Sequence, residues 1–244
     1  MTDNKPYVDL LPIFDDNYIF VIVHPASKEC LFVDPGTLDE LPKYVREHGL
    51  TPQGVLITHH HNDHIGGVRD VLKHWSIPVF APAQNKMQIP EATNWVKDQD
   101  VVSVGPFTFG VMALPGHTLG HVGYFNVENN WLFSGDVLFG LGCGRLFEGT
   151  FEQAFQSLQK IKDLPSSTSV FCTHEYTEAN LNFCKSLPPY SENLQSYEQD
   201  LLKKRTQDLP SIPLHLKKET QTNPFLMAKD VREFQSLREL RNKF

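Results

Sequence analysis

"GVLITHHHNDHIGG", Gly54 to Gly67, is the stretch on which the reading of this chain turns. It starts as an apolar run of buried-strand type and ends as the opening of an amphipathic helix. The four histidines and one aspartate between His59 and His64 therefore fall on a loop at the C-terminal end of a strand. Open α/β sheets put their ligand sites at such ends. Residues two apart on extended backbone point the same way, so His59 and His61 can chelate one ion while His60 and Asn62 face away. Asp63 and His64 open the helix, where their directions diverge from the strand pair, and they are expected to serve a second ion. For Asp63 the alternative is an ordinary helix N-cap.

Around this stretch the pattern alternates. Short β-rich runs come first ("VDLLPI", "YIFVIVH", "ECLFVD"). Leu38, Leu41, Tyr44 and Val45 follow at helical spacing, and "GVLIT" is the next strand. Ile65, Val68, Val71, Leu72 and Trp75 line one helical face before the strand "PVFA". From Asp100 to Gly135 strands return ("VVSV", "FTFGVMAL", "HVGYFNV", "NWLFSG"), then a helix over about Phe151 to Leu164 and the strand "SVFCT". Two β-rich halves, each closing with α/β steps, predict two sheets packed face to face with helices outside. Beyond Tyr176 the runs are helical ("TEANLNFCKSL", "ENLQSYEQDLLKKRTQ", "DVREFQSLRELRNKF"), broken by "LPPYS" and "LPSIPLH", which predicts a small separate domain over 176–244 after a first domain over 1–175.

Two chelating pairs make incomplete sites, because zinc takes about four or five ligands at roughly 2.0–2.2 Å. His117 in "LPGHTLGH", Asp136 in "LFSGDVLF" and His174 in "FCTHEYT" each closely follow an apolar run and are the candidates to complete them. Ser134 lacks the flanking-glycine pattern of a nucleophile elbow, so no serine nucleophile is expected.

Length and composition narrow the class. The chain has 244 residues, 40% hydrophobic and 21% charged, enough for one large domain or for an ordinary one with an appendage. A net charge of -7 argues against general nucleic-acid binding. The mixed-charge N-terminus lacks the apolar core of a secretory signal, and the apolar run from Tyr18 to Val23 is too short to cross a bilayer, so a soluble cytoplasmic protein is expected. Cys30, Cys143, Cys172 and Cys184 show no paired spacing and are expected as reduced thiols.

The strings "THHHNDH", "PGHTLGH", "SGD" and "THEYT", in that order, resemble the metallo-β-lactamase superfamily. "FDDNY", "GCGRLFEGT", "HEYT" and the basic C-terminal segment are similar, more narrowly, to the glyoxalase II (hydroxyacylglutathione hydrolase) family, over essentially the whole chain. The resemblance implies a four-layer αββα sandwich, α/β (α+β) in class, with a helical C-terminal domain that binds substrate. It implies that His59, His61 and His117 hold one divalent ion, that Asp63, His64 and His174 hold another, and that Asp136 bridges them. Zinc is the first expectation, with iron or manganese as alternatives. Asp34 in "FVDPG" resembles the superfamily's aspartate that orients a ligand histidine, the alternative being a turn-forming residue before Pro35.

Two ions about 3.5–4 Å apart lower the pKa of a shared water from roughly 15.7 towards neutrality, and the hydroxide so formed is the expected nucleophile, held where Asp63 and Asp136 are the catalytic carboxylates. Two divalent cations, less two carboxylates and one hydroxide, leave a net positive centre that favours a tetrahedral oxyanion. A thiolate leaving group, with a conjugate-acid pKa near roughly 8.5, departs without a strong general acid. The family's substrate is S-D-lactoylglutathione, cleaved to D-lactate and glutathione in the second step of methylglyoxal detoxification. The resemblance assigns its binding to Arg145, Phe147, Tyr176, Arg238 and Arg241, with Phe147 departing from the tyrosine of part of the family. Arg238 and Arg241 lie three apart on one helical face, where an anion would relieve their repulsion. No nucleic-acid or membrane partner and a monomeric state are expected. The alternative activity is a mononuclear iron persulfide dioxygenase on the same scaffold.

Overall fold

The apolar run from Tyr18 to Val23 is the heart of a strand, β2 (Asn17–His24), paired antiparallel with β1 (Tyr7–Ile13) and β3 (Glu29–Val33). The sheet continues in parallel through β4 (Thr51–Leu56), β5 (Val79–Pro82) and β6 (Asn94–Val96), its six strands lying in sequence order. Helices α1 (Leu41–His48), α2 (Asn62–Ile65) and α3 (Val68–His74) fill the connections. Ile19, Val21 and Val23 of β2 join one apolar cluster with Leu41, Val45, Val68 and Val71 of the helices, while Phe20 and Ile22 point the other way and are also fully buried. A strand covered on both faces reads as an unbroken apolar run, not as an alternation. Each such side chain contributes about 1.5–3 kcal/mol by its burial.

The computed structural model describes residues 4–188 and 190–244, and by packing the chain forms two units. The first is Met1–Ala113 with Gly120–Asn129 and the second is Leu114–Leu119 with Asn130–Phe244.

In the first unit the single helix expected over Ile65 to Trp75 is instead two helices, broken at Gly66–Gly67, with Trp75 already extended. Contact explains the break. A Cβ on Gly67 would lie 2.4 Å from the Thr37 carbonyl carbon, and the Gly67 amide donates to Pro35 O at 3.0 Å. Only glycine lets the chain turn that closely over the loop after β3. The turn also brings α2, which carries Asp63 and His64, against Asp34. Also in the first unit, β7 (Val101–Val104), β8 (Phe107–Ala113) and β9 (Val122–Asn126) form an antiparallel run. Tyr124 of β9 donates its hydroxyl to Ile57 O and Phe80 O, and Val122 N donates to Thr58 O at 2.9 Å, which fastens β9 to the end of β4.

In the second unit, β10 (Trp131–Gly135) runs parallel to β13 (Ser169–Cys172), which pairs antiparallel with β14 (Leu214–His215), and β11 (Leu138–Phe139) and β12 (Gly142–Cys143) form a small hairpin. The helix α4 (Phe151–Lys162) starts with a reciprocal cap: Gln153 N donates to Thr150 Oγ1 and Thr150 N to Gln153 Oε1. The C-terminal segment holds the three expected helices α5 (Thr177–Ser186), α6 (Glu192–Arg205) and α9 (Val231–Lys243). It also holds α7 (Leu216–Thr222) and α8 (Pro224–Met227), which the sequence did not predict. The apolar anchor of this segment is Phe234, which meets Phe151, Phe155 and Phe225.

All four cysteines are buried free thiols, and burial pushes Cys30 and Cys184 up to about 12. Thiol reagents attack the thiolate. Native protein is therefore expected to react with almost none of a disulfide reagent such as dithiobisnitrobenzoate, and to titrate all four thiols once unfolded in guanidinium chloride. Rapid labelling of the native protein would contradict this burial.

Among the described residues no helix is long and apolar enough to cross a membrane.

Candidate functional site

In the first unit the metal-type side chains gather where β4 ends. His61, beyond the end of β4 at Leu56, is the N-cap of α2 with extended backbone (φ -65, ψ 146), and the chain turns helical at Asn62. The His59 and His61 rings lie 4.6 Å apart by centroid, and those of His59 and His64 lie 4.0 Å apart. Ligand atoms of His59 and His61, of Asp63 and His64, and of His59 and His64 lie within 4.8 Å of each other. Asp63 is inside α2 and is not its N-cap, and its Oδ2 accepts from Asn17 Nδ2 at 2.9 Å, so the cap alternative falls away. His60 turns elsewhere, with Nδ1 3.0 Å from Asn85 Nδ2, and Asn62 is exposed.

Asp34 sets the imidazoles. It is fully buried at φ +50, and its Oδ1 accepts from Thr58 N at 2.8 Å. Its Oδ2 accepts from Thr58 Oγ1 at 2.6 Å and faces His64 Nδ1 at 2.9 Å. A carboxylate at Nδ1 keeps the proton there and leaves the Nε2 lone pair for a metal. Thr58 donates its one O–H to Asp34, so its oxygen accepts from His59 Nδ1 at 3.1 Å and gives His59 the same tautomer. The orienting role is thus the one the structure supports. His121, which is not among the expected ligands, is fully buried and stacks on His59 at 4.7 Å and 21°. The four-residue spacing from His117 in "HTLGH" was the available signal.

In the second unit Asp136 follows β10 through Gly135, whose φ of +49 suits glycine. Its Oδ2 lies 3.4 Å from His117 Nε2 and 3.3 Å from His174 Nε2. His117 Nδ1 donates to Arg145 O at 2.7 Å, so its Nε2 presents a lone pair to the carboxylate. Two acceptors facing each other repel unless a cation lies near both, and this donor set of imidazole nitrogen and carboxylate oxygen fits a divalent metal. Tyr176 lies parallel to the His174 ring at 4.7 Å and 5°. Phe147, 62% exposed, meets His117 edge-on at 5.2 Å and brings no hydroxyl.

Three guanidinium groups share this unit. Arg145 is exposed. Arg238 is buried, with Nη1 donating to Cys143 O at 2.8 Å, Nε donating to Asn242 Oδ1, and its guanidinium over the Phe225 ring. Arg241 donates from Nε to Asn180 Oδ1 at 3.2 Å. Burial chiefly, then repulsion from Arg238 and more weakly from Arg145, holds Arg241 below the usual guanidinium range. Mutual repulsion of this kind is relieved by an anion such as a carboxylate. The helical spacing of Arg238 and Arg241 was legible in the sequence, but the contact of Arg238 with a main-chain carbonyl was not.

His60 stands outside the ligand arrangement, so His60→Ala is expected to leave metal content unchanged and turnover within about tenfold. A metal loss equal to that of His61→Ala, by mass spectrometry, would overturn this sorting.

A family model described as the metallo-β-lactamase superfamily matches residues 13–174, and one described as the hydroxyacylglutathione hydrolase C-terminus matches residues 175–244. The hydroxyacylglutathione hydrolase of Bdellovibrio bacteriovorus is 51% identical, with 98% of this chain and 98% of that protein covered. That of Edwardsiella ictaluri is 43% identical over 90% of this chain and 86% of its own length. Among solved structures, the B3 metallo-β-lactamase BLEG-1 is similar with a TM-score of 0.71 and 26% identity, covering 91% of this chain and 100% of that one.

Proposed function

The chain belongs to the metallo-β-lactamase superfamily and, within it, to the hydroxyacylglutathione hydrolases, and from this premise we propose which of its residues hold metal and substrate. It is a thioester hydrolase of the glyoxalase II type. In this reading His59, His61 and His117 hold a first divalent ion, Asp63, His64 and His174 hold a second, and Asp136 is shared by both. Zinc is the ion we assign, with iron or manganese as alternatives. The observation that carries the reading is the common tautomer: His59, His64 and His117 each commit Nδ1 to an oxygen, which leaves Nε2 as the metal-facing atom.

When bound, such a pair of ions supplies a hydroxide nucleophile near neutral pH and positive charge for the oxyanion. The protein's own residues do the rest. Asp34 and Thr58 keep two imidazoles in the metal-binding tautomer, and Arg145 O does the same for His117. Arg145, Arg238 and Arg241 supply charge for the two glutathione carboxylates, and Tyr176 and Phe147 line the approach to His174 and His117. The reaction adds water across the thioester of S-D-lactoylglutathione: the acyl carbon gains the hydroxyl oxygen, the carbon–sulfur bond breaks, and glutathione leaves as a thiolate that is protonated by solvent. Residues 1–175 would carry the metal ligands and 176–244 the helical substrate-binding part, in a monomeric cytoplasmic enzyme.

The iron persulfide dioxygenase alternative is not favoured, because relatives at 43% and 51% identity are named as hydrolases. The test is metal-replete protein added to S-D-lactoylglutathione, with thioester absorbance and metal content followed together. Loss of absorbance with about two ions per chain is expected. One iron per chain with oxygen uptake on a glutathione persulfide would replace this reading.

A further inference from the structure

We propose that Glu219 is a positioning residue for substrate: it holds the turn at Leu141 and, through the β11–β12 hairpin, sets where Arg145 stands. The inference rests on the reading of Arg145 as a binder of a glutathione carboxylate.

Glu219 lies on α7 with no exposure at all. Its Oε1 accepts from Tyr197 Oη at 2.7 Å, and its Oε2 accepts from Leu141 N at 2.9 Å and from Asn223 Nδ2 at 3.1 Å. A buried carboxylate is expensive to keep unless donors surround it, and one that receives three is an acceptor built into the fold. Burial raises the Glu219 carboxyl above its usual range, and the three donors oppose that shift.

Two of those donors, Leu141 N and Asn223 Nδ2, lead to one place. Leu141 sits at φ +56, a left-handed backbone that a bulky side chain adopts only when its surroundings insist. The amide of that strained residue is the one Glu219 holds. The Asn223 amide that donates to Glu219 also donates to Phe139 O at 3.1 Å and Gly142 O at 3.0 Å, the two residues paired across the hairpin end. Asn180 Nδ2 donates to Gly140 O, so all four residues of the turn are tied from outside. Beyond the turn the hairpin closes with Cys143 opposite Leu138, Gly144 N donates to Val137 O, and the next residue is Arg145. The Arg145 side chain is exposed, so its position depends on where its backbone is held. The polar segment α7 thereby acquires a function that its own sequence does not announce.

The experiment measures KM, kcat, bound metal and melting temperature for Glu219→Ala, Glu219→Gln, Arg145→Ala and the double variant Arg145→Ala/Glu219→Ala, all as full-length metal-loaded protein. Glu219→Ala is expected to raise KM for S-D-lactoylglutathione about tenfold and to change kcat and bound metal by less than about threefold, the latter because the Arg145 carbonyl also accepts from His117 Nδ1. Glu219→Gln, whose amide oxygen can still accept from Leu141 N while its NH2 faces the Tyr197 hydroxyl, is expected to restore KM to within about twofold. On the Arg145→Ala background the Glu219 change should add less than about threefold, because most of its effect acts through the side chain already removed and the rest reaches Arg238 through Cys143 O. The inference is overturned if folded Glu219→Ala has the parent KM, if Glu219→Gln is as impaired as the alanine, or if the two changes multiply in full. Should Glu219→Ala not accumulate, Glu219→Asp, which withdraws the carboxylate from Leu141, takes its place with the same expected outcomes. Arg145→Ala with an unchanged KM would sink the underlying assignment of Arg145 instead.

Discussion

Asp136→Asn is expected to lower kcat on S-D-lactoylglutathione at least about a thousandfold and to reduce the metal held from about two ions per chain towards one. The side chain is buried, and its Oδ2 lies 3.4 Å from His117 Nε2 and 3.3 Å from His174 Nε2. One oxygen thus serves two imidazoles that belong, in the proposed ligand set, to different ions. Asparagine has the same size and shape, so the packing of Gly144 against the Asp136 carbonyl is kept. The negative charge is lost, and whichever way the amide turns, only one of its two atoms can accept. A charge that offsets two cations in a buried place cannot be replaced by a dipole. Metal content by mass spectrometry, read together with turnover, checks this. A variant that keeps two ions and turns over within about tenfold of the parent would refute the shared-carboxylate assignment.

Much of the proposed site is legible in the sequence because direction along a chain is local. Two residues apart on extended backbone means one face, and His61, extended at the N-cap of α2, is the last residue before the helix. Strand β2 was legible for the same kind of reason, since burial on both faces leaves an unbroken apolar run. What escaped depends on residues distant in sequence. The Gly66–Gly67 break follows from close approach to Pro35 and Thr37, and no helical periodicity reports that. Helix α7 reads as a polar stretch, yet Glu219 is buried and accepts from Tyr197 and Leu141, 22 and 78 residues away. No local pattern beyond its spacing from His117 marks out His121, and its burial against His59 goes with the docking of β9 on the end of β4.

Asp34→Asn is expected to cost about ten- to a hundredfold in metal affinity and at least as much in turnover at limiting metal, with the fold retained. The carboxylate takes three donors: Thr58 N on Oδ1, and Thr58 Oγ1 with His64 Nδ1 on Oδ2. An amide cannot satisfy all three. If its NH2 takes the Oδ1 place, it meets the Thr58 main-chain N–H donor to donor in a fully buried spot. If it takes the Oδ2 place, it faces His64 Nδ1, and the imidazole relieves the clash by moving its proton to Nε2, the atom proposed to hold metal. The Thr58 hydroxyl would then rotate to accept from the amide, and its lone pairs would no longer serve His59 Nδ1 alone. The first arrangement costs stability; in the second, one aspartate that touches no metal in the proposed set controls two imidazoles that do. Titration with a chelator gives the affinity, and circular dichroism shows whether the fold survives. Unchanged metal affinity in a folded Asp34→Asn would leave Asp34 as no more than the turn residue before Pro35.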